Sequence, residues 1–144
     1  MTLDQVKEAY GYNPEDEYHY FSGYNGLLGL IGDILLQVDD HDYQGDSRLI
    51  YQRAGDYGLL IFGWGSCSGC DALQACDTIE EVHQLGERLE NSVQWMPAKE
   101  LLEYFNKHDW EGDYSYHDEE TKEFVEKAKV LLEGIVAKES NGQA

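Results

Sequence analysis

An α+β domain is the fold class this sequence predicts, with an antiparallel meander of three to four strands covered by C-terminal helices. Three observations predict it. Runs rich in Leu, Ile, Tyr and Phe, separated by turn-forming residues, occupy Asp33 to Val38, Ser47 to Arg53 and Tyr57 to Trp64. Beyond Trp64 the apolar residues recur at helical spacing instead. A chain of 144 residues with 42% hydrophobic composition is long enough to bury one core. One domain over 1–140 follows, with a frayed tail at 141–144.

Thr2, with Gln5 three residues on, makes a capping box, and Leu3, Val6 and Tyr10 share a helical face, so the chain opens with a short helix. Tyr12 to Tyr24 reads as a loop: Asn13-Pro14, the acids Glu15, Asp16 and Glu17, and Tyr18, Tyr20, Phe21 and Tyr24 as surface or interface material. Glycine then recurs at every third position, Gly23, Gly26, Gly29 and Gly32, among Leu27, Leu28, Leu30 and Ile31. No Lys follows and the GxGxxG spacing is absent, so these glycines point to close backbone packing rather than a phosphate cradle. Ala54-Gly55-Asp56 suits a tight hairpin between the second and third runs.

Thr78 and Glu81 form a second capping box ahead of Ile79, Val82, Leu85 and Leu89. Pro97 suits the first turn of a helix that carries Leu101, Leu102, Phe105 and His108 on one face. A last helix starts near Asp118, with Glu119 and Glu120 in its first turn and Phe124, Ala128, Leu131, Leu132 and Ile135 along one stripe.

Composition narrows the function. Twenty-nine Asp and Glu against ten Lys and Arg leave a formal charge of -19. Self-repulsion of that size opposes compaction, so the acidity serves something besides folding: solubility, a basic partner, or imitation of a polyanion. Direct binding to DNA, RNA or anionic membrane is disfavoured, because those partners are held by clustered Lys and Arg. The 12% aromatic content, with eleven Tyr and three Trp, argues for a folded chain. No secretory signal is visible, and the apolar-rich segment Gly26 to Val38 contains Asp33 and is too short to span a bilayer, so a cytoplasmic protein is expected.

Cys67, Cys70 and Cys76 lie in the densest segment, Gly63 to Cys76, and an odd, clustered set of cysteines suits reduced thiols rather than a disulfide framework. Three readings stay open for them. Cys67-x2-Cys70 has zinc-ligand spacing, with Cys76 as a third ligand and His83 or a more distant His as the fourth; zinc is the one cofactor the sequence suggests. Alternatively, Gly65-x-Cys67-x-Gly69 after an apolar strand has the outline of a nucleophile elbow, with Cys67 as the nucleophile and His83, His108 or His117 as the available bases. The segment is similar to the nucleophile segment of NlpC/P60 cysteine peptidases, but Ser66 precedes Cys67 and helices follow instead of a His-bearing strand. Asp71 and Asp77 also disfavour a thiolate, and CxxC redox chemistry lacks a thioredoxin-like strand-helix-strand order. The third reading is structural, with small residues turning the chain and the cysteines packed as small hydrophobes. Asp40 to Tyr51 has an EF-hand's acids at positions one and three and Gly at six, but Tyr51 stands at position twelve where Glu is required and the flanks read as strands, so it is an acidic hairpin loop with weak cation affinity at most.

Acids and aromatics alternate in two stretches. The first supplies Asp39, Asp40, Asp42, Tyr43 and Asp46; the second supplies Asp109, Trp110, Glu111, Asp113, Tyr114, Tyr116, Asp118, Glu119 and Glu120. Carboxylates steer a basic partner and pair with its Arg, while Tyr43, Trp110, Tyr114 and Tyr116 supply rigid anchors. The competing reading has solvated loops with their aromatics turned back to the core.

The stretch Asp42 to Asp77, with Asp42-Tyr43-Gln44-Gly45-Asp46-Ser47-Arg48, Leu59 to Trp64 and the Gly65 to Cys76 segment, resembles a family of small bacteriophage and bacterial proteins. Asp109-Trp110-Glu111-Gly112 and Tyr116-His117 extend the resemblance to about half the chain. It implies no activity and no catalytic residues, only a context in which very acidic small domains act as host-directed inhibitors. The expected function is therefore a non-enzymatic, acidic protein-binding domain, monomeric or homodimeric, that mimics a polyanion and blocks a basic nucleic-acid-binding or host-defence protein. The alternative is a zinc- or thiol-dependent site on the cysteine cluster.

Overall fold

The computed structural model describes residues 1–16, 21, 23–112 and 118–142. Its helices and strands are α1 (Leu3–Ala9), α2 (Asn25–Ile31), β1 (Asp33–Asp39), β2 (Gly45–Arg53), β3 (Asp56–Trp64), α3 (Ile79–Ser92), β4 (Gln94–Met96), α4 (Ala98–Lys107) and α5 (Glu119–Ser140). The strands form one antiparallel sheet in the order β1-β2-β3-β4, so the expected α+β meander is present with four strands.

Side-chain alternation along β2 builds two cores. Leu49 and Tyr51 point to one face with Leu60 of β3, where they meet Val6 of α1, Leu27, Leu28 and Ile31 of α2, and Ile79, Val82, Leu85 and Leu89 of α3. Ile50 points to the other face with Val38, Tyr57 and Leu59, against Ala98, Leu101 and Phe105 of α4 and Phe124, Val125, Ala128 and Leu132 of α5. Ser47 through Tyr51 are all buried as a result. The sheet is thus the middle of three layers. Helices from the first half of the chain cover it as well as those from the second.

α2 departs from the sequence expectation. The glycine-rich stretch is helical, and burial of Leu27, Leu28 and Ile31 offsets the poor helix propensity of Gly26 and Gly29. Close packing holds at Gly26, where a Cβ would lie 2.9 Å from the Tyr10 ring, and at Gly32, where it would lie 3.1 Å from the Gln52 carbonyl oxygen. Gly29 faces open space, and Gly23 serves a φ of 76°. Phe21 and Tyr24 are not surface material either: Phe21 is buried edge-on to Tyr10, and the half-buried Tyr24 ring packs against Phe62. Glu17, Tyr18 and Tyr20 lie outside the described residues.

Local signals account for most element ends. Thr2 and Gln5 make the full reciprocal capping box on α1. On α3, Thr78 Oγ1 accepts from the Glu81 N–H at 3.2 Å, while the Glu81 carboxylate accepts from the N–H of Asp77, one residue before the cap. Pro97 is the N-cap of α4, one position ahead of its first turn, and Asp118 is the N-cap of α5. Arg53 pairs with Asp56, leaving Ala54 and Gly55 as a two-residue loop with φ of 52° and 85°, the positive pair a type I′ hairpin turn needs. At the C-terminus the Asn141 N–H donates to the Ala137 carbonyl at 3.2 Å, and Gln143 and Ala144 lie outside the described residues. Among the described residues no helix is long and apolar enough to cross a membrane.

Glu90 staples α3 to β2 and to the N-terminus, accepting from Arg53 at 2.7 Å and from the Met1 ammonium at 2.9 Å. Burial acts to raise its pKa, but these two hydrogen bonds outweigh it and hold the carboxyl below its ordinary range. A carboxyl depressed in the folded state adds stability above its unfolded pKa and loses it as pH falls through the folded value. Glu90→Gln is therefore expected to cost about 1 kcal/mol in urea unfolding at pH 7, with the cost shrinking towards zero as pH falls below about 4. Ala54→Asn is expected to raise stability by about 0.5 kcal/mol in the same assay, because Asn tolerates the left-handed conformation better than Ala.

Candidate functional site

Two acidic segments distant in the sequence meet at one end of the sheet. The pairings Asp39 with Ser47 and Gly45 with Trp64 place the β1–β2 loop beside the last residue of β3, and α5 begins over the same end. Between them lies a cleft of about 660 Å³ lined by five carboxylates, Asp40, Asp42, Asp46, Asp118 and Glu120, together with His41, Gln44, Trp64, Gly65 and Cys70. A second cleft of about 520 Å³ shares Asp40, Trp64 and Gly65 with it and continues past Asp39 to Tyr24 and Phe21.

The charges in the cleft differ in kind. Asp40 is structural: Oδ1 accepts from Arg48 Nη1 at 2.8 Å and Oδ2 from the Asp46 N–H at 2.8 Å. Arg48 is 1% exposed; its Nη2 lies 4.0 Å from Asp46 Oδ2 and has no hydrogen-bond partner among the described residues. Burial raises the Asp46 pKa; Arg48 opposes this, and Asp40 and Asp118 reinforce it. One guanidinium set against five carboxylates leaves the cleft strongly negative. At the loop tip Asp42 is exposed and Tyr43 is 85% exposed, free to contact a partner.

The rest of the expected partner-binding set divides. Asp39 accepts from Gln37 Nε2 at 3.1 Å and borders the second cleft. Glu119 is exposed in the first turn of α5. Asp109, Trp110 and Glu111 sit elsewhere, beside Lys122 and Lys129. Trp110 is not an exposed anchor: its ring is buried, stacks on Phe105 at 5.4 Å, and its Nε1 donates to the Phe105 carbonyl at 2.9 Å. Burial of that large ring against α4 and α5 outweighs the polarity of its sequence neighbours. Asp113, Tyr114 and Tyr116 lie outside the described residues.

The cysteine loop hangs from one buried carboxylate. Asp71, 4% exposed, accepts from the Gly65 N–H at 3.0 Å, the Tyr24 hydroxyl at 2.8 Å and the Gln74 N–H at 2.9 Å. Burial, and then the bond to Asp71, raise the pKa of Tyr24, so it stays a donor. Gly65 is needed as glycine, since a Cβ there would lie 2.5 Å from the Cys70 carbonyl oxygen. Cys67 and Cys70 are exposed with their Sγ atoms 2.6 Å apart. The bond from the Cys67 thiol lowers the Cys70 pKa, with the Cys67 backbone N–H adding to it.

The structure separates residues that the three readings of the cysteines bring together. The four zinc donors are not gathered: Cys76 Sγ donates to the Ala72 carbonyl, and His83 Nε2 contacts the Met1 carbonyl oxygen and the Glu87 carboxylate at 3.1 Å each. Among the described residues no group of three or more His, Cys, Asp or Glu is placed to hold a metal ion. Cys67 does not start a helix, because α3 begins only at Ile79, so the elbow geometry is absent. His108 packs against Tyr104 and Trp110, and His117 lies outside the described residues. Packing as a small hydrophobe applies to Cys76 alone; burial pushes its thiol pKa up.

Sequence reasoning missed Arg48 and Asp71. Arg48 was detectable as the one charge inside the apolar run Ser47 to Tyr51, which marks a buried ion pair. No family model matches the chain, and no match was found among curated proteins or solved structures.

Asp40→Ala leaves Arg48 buried without its carboxylate and is expected to cost about 3 kcal/mol in urea unfolding, whereas Asp42→Ala at the exposed tip changes stability by less than about 0.5 kcal/mol. Equal costs at the two positions would contradict the assignment of Asp40 to structure and Asp42 to surface charge.

Proposed function

We propose that this chain is a protein-binding domain whose acidic cleft receives a Lys- and Arg-bearing segment of a basic partner. The observation that carries the reading is the convergence of the β1–β2 loop and the start of α5, which puts five carboxylates around one cleft with a single buried Arg. Such a cleft attracts cations from a distance and pairs with them on contact, and both effects weaken as salt screens them. Trp64, fixed by a 2.9 Å bond from Nε1 to Ser47 Oγ, offers an aromatic wall, and Tyr43 is the exposed anchor.

In its finer form the domain is an inhibitor that presents carboxylates where a nucleic-acid-binding or host-defence protein expects phosphates, a role that fits the phage context although the resemblance itself implies no activity. A reducing compartment such as the cytoplasm suits its three free thiols. We prefer this reading to zinc on Cys67, Cys70, Cys76 and His83, because the cleft is assembled whereas Cys76 and His83 are engaged away from the Cys67–Cys70 pair.

The test is a calorimetric titration with an Arg-rich peptide. Affinity is expected to fall about tenfold or more between low and high salt, and by about tenfold at low salt in the triple variant Asp42→Asn, Asp118→Asn, Glu120→Gln. A control with the same change in net charge, Glu100→Gln, Glu103→Gln, Glu133→Gln at exposed positions outside the cleft, is expected to bind like the unaltered protein. Equal losses in the two variants, or an affinity indifferent to salt, would remove the cleft as the binding site.

A further inference from the structure

Cys67 and Cys70 form a pair whose thiols the proposed partner binding does not require, although Cys70 lines the same cleft. The Cys70 N–H donates to the Cys67 carbonyl at 3.0 Å, and the Asp71 N–H reaches the same oxygen at 2.8 Å. A hydrogen-bonded turn of this kind keeps its first and fourth Cα atoms within about 7 Å, and a disulfide spans about 4.4–6.8 Å between Cα atoms. The two Sγ atoms are already in contact at 2.6 Å and both residues are exposed. Asp71 anchors the chain on both sides of the turn through the Gly65 and Gln74 N–H groups, so the turn that brings the sulfurs together is held in place. Cys76 is half-buried and engaged with Ala72, which leaves the pair as the reactive unit.

Cys70 also lines the acidic cleft, together with Asp118 and Glu120. A disulfide approaching Cys70 therefore crosses a negative field: cationic reagents are concentrated there and anionic ones are repelled. We infer that Cys67 and Cys70 are a dithiol–disulfide couple that exchanges with positively charged disulfides in preference to negatively charged ones.

The exchange balances in two steps. The Cys70 thiolate, towards which the Cys67 N–H points at 3.0 Å, attacks one sulfur of the incoming disulfide, forming a mixed disulfide and releasing the first reagent thiolate. The Cys67 thiol gives up its proton and attacks the Cys70 sulfur, closing the Cys67–Cys70 bond and releasing the second thiolate. Both thiolates take up the protons that the cysteines have lost. The protein is oxidised by two electrons and the reagent disulfide is reduced to two thiols.

The test reacts the reduced full-length chain with cystamine, which is cationic, and with oxidised glutathione, which is anionic, using dithiothreitol as the reference dithiol for each reagent. Trapping with an alkylating agent and peptide mapping is expected to show a Cys67–Cys70 link with Cys76 still alkylated. Relative to the reference, cystamine is expected to react about tenfold faster than oxidised glutathione at low salt, with the preference collapsing at about 1 M salt. Cys67→Ser is expected to stop at a mixed disulfide on Cys70. Asp118→Asn with Glu120→Gln is expected to reduce the preference while closure still occurs. Mixed disulfides that persist on the unaltered chain, prior consumption of Cys76, or a cystamine preference no greater than that of the reference would overturn the inference. Peptide binding does not enter these readouts, so the couple and the partner-binding role stand or fall separately.

Discussion

The Arg48 guanidinium lies inside the sheet, 1% exposed, and a charge in that position is tolerable only beside a fixed carboxylate. Asp40 supplies it across the hairpin, and its second oxygen takes the Asp46 N–H, so a single aspartate ties the β1–β2 loop to the central strand. Gly45 adds to this constraint, because a Cβ there would lie 2.5 Å from Asp40 Oδ2. The direction of the loop follows from the pair, and with it the position of Asp42, Tyr43 and Asp46 opposite the start of α5. Without that tether the two acidic segments would repel each other and separate.

Several features offset the repulsion that remains. The N-terminal end of the helix dipole favours Glu119 and Glu120 in the first turn of α5. Burial, with lesser contributions from Asp40 and Asp118, raises the Asp46 pKa, and Arg48 opposes this. The two hydrophobic cores, one on each face of β2, provide the cohesion that lets a chain of charge -19 fold around such a site. An acidic cleft on a firm apolar base is preorganised for a cation, since its carboxylates need not be gathered on binding.

Asp71 plays for the cysteine loop the part that Asp40 plays for the β1–β2 loop. Each is an aspartate largely withdrawn from solvent that collects several donors, Asp40 from across its own hairpin and Asp71 from Gly65, Gln74 and the distant Tyr24, and each fixes a loop on the same end of the sheet. Trp64 and Gly65 stand between the two loops and line both clefts. The dithiol and the acid cluster are neighbours because two carboxylates, the half-buried Asp40 and the buried Asp71, hold their loops near the end of β3.

Local chemistry was legible in the chain. Capping at Thr2 and Thr78, the three strand runs, the Ala54-Gly55 turn and the apolar stripes of α3, α4 and α5 all depend on neighbours a few residues apart, so the sequence by itself determined the α+β class and the meander of β1 to β3, while β4, paired with β3 across α3, was not among the expected runs. It also determined that the surface would be acidic and that aromatics would accompany the acids. It could not reveal that Gly26 and Gly29 sit in a helix, because burial of Leu27, Leu28 and Ile31 against strands and helices elsewhere in the chain outweighs their propensity. Tertiary structure alone decided which of the many acids share a cleft, since Asp42 and Asp118 are joined only by sheet register and the docking of α5. It decided likewise that Trp110 turns inward, that Cys76 and His83 part from Cys67 and Cys70, and that Arg48 and Asp71 become the two anchors. Each of these depends on long-range packing and desolvation, which a residue's sequence neighbours do not specify.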